Sequence, residues 1–228
     1  GLRLPSKSAC RVVLVVVDRE GIVLGVRRME DAAVGALDSA IAKARTARLY
    51  SDPLVVDEDG ALQGLHPLTG LVPAGTAVTT RTLWFLSQPF FPPGIDASAP
   101  DHDMVAPFDA GSGPLYELAI ENRKPFRFEQ MGFAPAAPID PGVQDDSQNG
   151  LCFVAGGIPV YRAGALIGAI GVCGDGPAQS ERVASEAIAG ASLALGFDLS
   201  APHAIRANQF AYQGATLPYA KSPQNPDG

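Results

Sequence analysis

The chain lacks any apolar run near the ~20 residues that a bilayer-spanning helix requires. Its longest, Val12 to Val17, is the length of a strand. Basic residues are also in deficit: 17 Lys and Arg stand against 24 Asp and Glu, a formal net charge of −7. That balance argues against nucleic acid, whose affinity rests on cations neutralising phosphates, and against an anionic membrane surface. There are three cysteines, Cys10, Cys152 and Cys173, and no Cys-x-x-Cys, so zinc, thioredoxin-like and covalent heme signatures are missing. The odd count leaves at least one free thiol or an intermolecular bond. Cysteine's usual place, as a small buried apolar residue, is the reading adopted for all three. The three histidines, His66, His102 and His203, sit in separate loops without the spacing of a preformed metal site. No carboxylate pair with a diagnostic pattern is present: Glu30-Asp31 and Asp145-Asp146 lie in loops.

What is present is a hydrophobic content of 46% over 228 residues, enough for one large domain with its own core. Arg11 to Val17 is a β-branched run that ends in Asp18-Arg19-Glu20-Gly21, a type I turn pattern, and Ile22 to Arg28 returns as a second strand. The first of these is apolar on both faces, as in a central strand covered on both sides. Leu37 to Leu49 reads as a helix with Ala36, Ala40, Ala44 and Ala47 on one stripe, small enough to sit close to a sheet. Leu151 to Tyr161 and Leu166 to Cys173 are later strands joined by a turn at Arg162 to Ala165. Ser180 to Leu195 is a second alanine-rich helix. In the strand before it, Ala169, Gly171 and Cys173 make one face small.

Between about 51 and 150 the chain is dense in proline and glycine, yet too apolar for disorder. Within it, Thr79 to Ser87 and Pro114 to Asn122 read as short helices. The segment is expected to pack on the core or against another chain. The last residues, about 197–228, read as an extended surface tail, because their prolines exclude regular structure. The whole is one α+β domain over 1–228: an antiparallel sheet with helices packed on it, a long irregular insertion and an extended C-terminal tail.

Candidate site residues fall in two places. The first is the helix face bearing Lys43, Arg45 and Arg48, joined by Arg27 and Arg28 at the end of the second strand. Such a face is either solvated or an anchor for carboxylates by charge-assisted hydrogen bonds. The second is the loop Cys173, Gly174, Asp175 and Gly176. Its glycine spacing is neither a phosphate loop nor a Rossmann fingerprint. Glycines there leave room for a ligand's approach, and helix amides attract anions. The alternative makes Asp175 a helix cap with Pro177 in the first turn. Cys173, near a helix N-terminus, is a candidate nucleophile without a visible base.

Taken in order, VVLVVVDREGIVLGVRRMEDA, SAIAKARTA and GGIPVYRAGALIGAIGVCGDGPAQSERVASEAI resemble the GlcG/HbpS-like heme-binding family. The pattern falls on Val17-Asp18, Arg28, Ala40 to Ala47, Gly156 to Pro159 and Gly168 to Gly174. It covers residues 11–50 and 150–195. The family's first helix is missing before Cys10, and Cys173 stands where serine is usual. The insertion resembles that of longer bacterial members. The resemblance implies a profilin-like fold, a homo-oligomer or a place in a larger assembly, and a small-molecule ligand. Heme is the first choice and a corrinoid the second, in a periplasmic or secreted protein that binds without catalysis. It gives Lys43 and the 156–176 hairpin as family positions and supplies no axial ligand, although each histidine remains a candidate. Two other functions stay open: an enzyme or subunit that holds a small organic acid or aromatic compound through Arg28, Lys43 or Arg45, and a structural assembly module.

Overall fold

The computed structural model describes residues 9–53, 68, 70–87, 114–115, 151–212 and 214–221. Its frame is a four-stranded antiparallel sheet in the order β2-β1-β4-β3. The strands are β1 (Val13–Asp18), β2 (Val23–Arg28), β3 (Gly157–Arg162) and β4 (Ala165–Cys173). The helices are α1 (Ala36–Ser51), α2 (Thr80–Leu86) and α3 (Pro177–Leu195). The chain is thus α+β, as the sequence predicts.

Both hairpins follow from local chemistry. At the β1–β2 turn the Asp18 carboxylate accepts hydrogen bonds from the Glu20 and Ile22 amides, and the Gly21 amide bonds back to the Asp18 carbonyl. The β3–β4 turn places Ala163 and Gly164 at φ 49° and 82°, the paired left-handed residues of a tight hairpin. β1 pairs with β2 on one side and β4 on the other, so its central position is as read. Pro159 has no amide to donate and lies in β3, an edge strand among the described residues.

The small face of β4 explains the seat of α1. Val13, Val15 and Val17 of β1 and Ala169 of β4 pack with Ala36, Ala40, Ala44 and Ala47. A Cβ on Gly171 would stand 2.0 Å from the Ala40 carbonyl oxygen, so helix backbone rests directly on strand backbone. On the opposite face, Ile170 and Val172 join Ile158, Val12 and the α3 residues Ala184 and Ile188. A further core covers the back of α1: Leu49 and Tyr50 meet Leu68, Val78, Leu83, Leu86, Phe153 and Leu217. With the sheet on one side and this cluster on the other, α1 is buried along most of its length.

Several expectations change. α3 begins at Pro177, three residues before the predicted start, with proline in its first turn. The strand expected over Leu151 to Tyr161 forms only from Gly157. Residues before it run along α1, where the Cys152 amide donates to the Thr46 hydroxyl at 3.0 Å. The predicted helix at Thr79 to Ser87 is α2, closed by reciprocal bonds between Thr79 and Thr82. Of Pro114 to Asn122 only Pro114 and Leu115 are described, and they form a turn. The tail is no surface strand. Leu217 is 1% exposed, the Thr82 hydroxyl donates to the Pro218 carbonyl at 2.6 Å, and Ala211–Tyr212 and Ala215–Thr216 make a small hairpin. Its apolar residues find a core that only the packed α2 provides.

Candidate functional site

The basic face of α1 is neither solvated nor a shared anchor. Lys43, Arg45 and Arg48 are 2%, 5% and 6% exposed. Each serves a different backbone carbonyl. Arg45 Nε donates to the Gly21 oxygen at 2.8 Å and Arg48 Nε to the Arg19 oxygen, which ties α1 to the β1–β2 turn. Lys43 Nζ donates to the Val172 oxygen at 3.0 Å, toward the other end of the sheet. Arg28 is exposed and bonds the Ala32 carbonyl through Nε at 3.1 Å and Nη2 at 2.5 Å, which pins the chain leading into α1. Arg45 and Arg48 thus share the β1–β2 turn, while Lys43 and Arg28 serve carbonyls elsewhere. Helical spacing placed three of them on one element but did not show that protein surrounds that element.

The loop after β4 is also occupied by its own chain. A Cβ on Gly174 would lie 2.1 Å from the Arg11 carbonyl oxygen, and Asp175 Oδ2 accepts the Arg11 amide at 2.7 Å. Asp175 thus does not cap α3. The cap is Gly176, which makes no side-chain hydrogen bond. Cys173 faces α1 from the end of β4, opposite Val13 in β1.

What the structure gathers lies one step inward, around Gly156. The Val172 amide bonds the Gly156 carbonyl as the ladder's last rung. There the chain turns away from the sheet at Gly156, φ 128°, and Lys43 supplies the Val172 carbonyl with a side-chain donor. The point where a Cβ on Gly156 would stand is 2.5 Å from the Val172 oxygen, 2.9 Å from Ser180 Cβ and 3.2 Å from Lys43 Nζ. Ser180 is 1% exposed and its hydroxyl has no hydrogen-bond partner among the described residues. Cys152 stands within electrostatic reach of both Lys43 and Cys173. Burial pushes its thiol up, opposed by the Lys43 charge and a hydrogen bond from the Val154 amide. The Thr80 hydroxyl accepts the Gly157 amide at 2.8 Å and closes the side nearest α2.

Behind this cluster Glu181, fully buried, receives Arg81 Nε at 2.9 and 2.8 Å and the Lys221 amide at 3.0 Å. Of these residues, sequence reasoning singled out Lys43, Cys173 and the surrounding hairpin. It missed Ser180, Cys152 and the Arg81–Glu181 pair, whose members come from segments far apart in the chain. The double glycine at 156–157 was the one local signal. Among the described residues no group of His, Cys, Asp or Glu is arranged to hold a metal, and no helix is long and apolar enough to cross a membrane. His203 is exposed and lies 3.4 Å from the Gln209 side chain; His66 and His102 lie outside the described residues.

Residues 104–189, which contain β3, β4, the Gly156 turn and the first part of α3, match the family model described as haem degrading protein HbpS-like. This part of the chain is similar to that family. The match bears out the resemblance read from the hairpin and its loop. No curated protein matches the chain. Among solved structures, Klebsiella pneumoniae protein ORFY is 20% identical with a TM-score of 0.41, over 78% of this chain and 72% of that one. A PduOC:heme complex is 20% identical with a TM-score of 0.37, over 78% and 76%. A double mutant of Streptomyces reticuli HbpS is 22% identical with a TM-score of 0.38, over 81% and 71%. Superpositions this loose add nothing to the strand order and register described above.

Proposed function

We propose that this protein binds heme or a related tetrapyrrole through its HbpS-like domain. The observation that carries the reading is the family match over residues 104–189, whose description is of haem chemistry. The described surface of β2 offers a place suited to such a ligand. On β2, Leu24 and Val26 are 66% and 49% exposed and alternate along one face with Arg28; Met29 follows at 38%. An apolar row that ends in a guanidinium group fits a flat apolar molecule with a carboxylate at one edge. Arg28 would hold a carboxylate, and Leu24 and Val26 would cover the ring. The buried Lys43, Arg45 and Arg48 do not reach this surface. Heme would supply an iron centre for ligand or electron exchange; the chain's part is to shield the ring and hold its acidic edge. Met29 and His203 are the described side chains with an iron-ligating atom and substantial exposure.

Hemin titration of the purified protein tests this. A saturable Soret shift at micromolar protein is expected, and Arg28→Ala should weaken binding about tenfold. A linear, non-saturating titration sinks the proposal. The reading is of binding without turnover: the Soret band should persist when ascorbate is added, and its decay would make the protein a degrader. A homo-oligomer belongs to the same reading, and a monomer by light scattering at all concentrations would count against that part.

A further inference from the structure

We infer that β2 is the seam of a two-fold dimer, and that the two copies of β2 together form the platform on which the tetrapyrrole lies. Among the described residues β2 is an edge strand, paired with β1 alone. Every residue from Leu24 to Arg28 is exposed. Val23, Leu24, Gly25 and Val26 carry neither the charge nor the proline that blunts such an edge. The register shift between Val16 and Val17 touches only the start of the strand and leaves Gly25 to Arg28 regular. The Met29 amide donates to the Val12 carbonyl, and Val13 stands opposite Arg28. Hydrogen-bonded pairs alternate along an antiparallel ladder, so Gly25 and Arg27 bond toward β1. The N–H and C=O groups of Val26 and Arg28 therefore point away from it.

A second copy is the occupant that this edge fits. A two-fold axis at Arg27 would set two cations face to face. At Gly25 it would set Arg28 against Ile22, whose carbonyl already accepts the Asp18 amide. At Val26 the outward groups of the two strands meet. Arg28 of each copy then lies across from Leu24 of the other, and Arg27 across from Gly25, so no like charges oppose. The tetrapyrrole site is also incomplete without the second strand. Leu24, Val26 and Arg28 make a single row, and the ring is wider than the ~4.8 Å between neighbouring strands. An axis perpendicular to the sheet keeps both rows on one face. The pair then presents Leu24 and Val26 from each copy, with an Arg28 at two opposite corners, and one ring serves two chains.

The shared platform rests on the tetrapyrrole reading, whereas the seam stands without it, and the tests separate the two. Sedimentation equilibrium of heme-free full-length protein should show a concentration-dependent dimer. Gly25→Lys should weaken it about tenfold, because it sets a cation across from Arg27 at both symmetric positions, and Gly25→Glu should tighten it by pairing with Arg27. Both side chains fit the single chain, since a Cβ on Gly25 meets nothing within 4 Å. The net charge of −7 acting alone would give the opposite order, as added lysine lowers the mutual repulsion and added glutamate raises it. Hemin should titrate to one per two chains and shift the equilibrium toward dimer. A monomer at all concentrations with and without hemin, as when a segment of the same chain covers β2, overturns the seam, and so does a dimer indifferent to both substitutions. Saturation at one hemin per chain overturns the shared platform. If hemin does not bind while the charge order holds, the seam is upheld and the tetrapyrrole reading falls with the platform.

Discussion

Lys43 is a lysine used as a backbone donor. It stands where β3 leaves the ladder and the Val172 carbonyl would otherwise face a gap. Lys43→Ala should cost about 1–3 kcal/mol of stability, the cost of leaving a buried carbonyl without its donor, measured by urea unfolding. Gly171 is held by contact with backbone and not with side chain. A Cβ there meets the Ala40 carbonyl oxygen at 2.0 Å, and a helix backbone cannot yield as a side-chain tip can. Gly171→Ala should destabilise by about 3 kcal/mol or more, at the upper end of overpacking costs. Cys152 has a raised pKa because burial outweighs the pull of Lys43. Its thiol should react with iodoacetamide far more slowly in the folded than in the urea-unfolded protein at pH 8; equal rates would contradict the assigned burial.

The elements meet through polar contacts as much as through apolar ones. α2, α3 and the tail converge on Glu181, which is fully buried and held by Arg81 and the Lys221 amide. Arg81→Ala leaves that carboxylate buried without its cation and should cost about 3–5 kcal/mol. Replacing both partners with methionine should recover much of the loss, because the buried charge disappears with its partner. α1 is similarly tied at both ends of the sheet, by Arg45 at the β1–β2 turn and by Lys43 beside the β4 terminus. Its charged residues therefore position the helix against the sheet and leave little for a surface ligand.

The molecule as a whole is most exposed to alkali. Burial raises the phenols of Tyr50, Tyr161 and Tyr219, and Tyr161 is pushed up to about 12. The Tyr161 hydroxyl is buried near Ser51, which is itself engaged with Val78. A phenol with a raised folded pKa is a stability contribution that is full below the unfolded value near 10 and is lost as pH rises toward the folded value. In that window the unfolded chain binds fewer protons than the native one, so stability falls with pH. The loss should be up to about 1.4 kcal/mol per pH unit for each such tyrosine. Urea midpoints measured between pH 9 and 11.5 should be level at first and then decline; a flat profile throughout would contradict the burial of these rings.

Local chemistry by itself determined the two hairpins, the alanine stripe of α1, the small face of β4 and the family pattern in Gly156 to Gly176, because turns and periodicities are written in neighbouring residues. The sequence also marked Lys43 and Cys173. Only the tertiary structure decided that the basic face of α1 is buried, that Asp175 binds Arg11 instead of capping a helix, and that the tail enters the core. Nor could spacing bring Lys43 and Ser180 to one glycine, or Arg81 to Glu181 and Lys221. Such contacts depend on which surfaces the packed α2 and tail cover, and desolvation is a property of the assembled chain that no local pattern encodes.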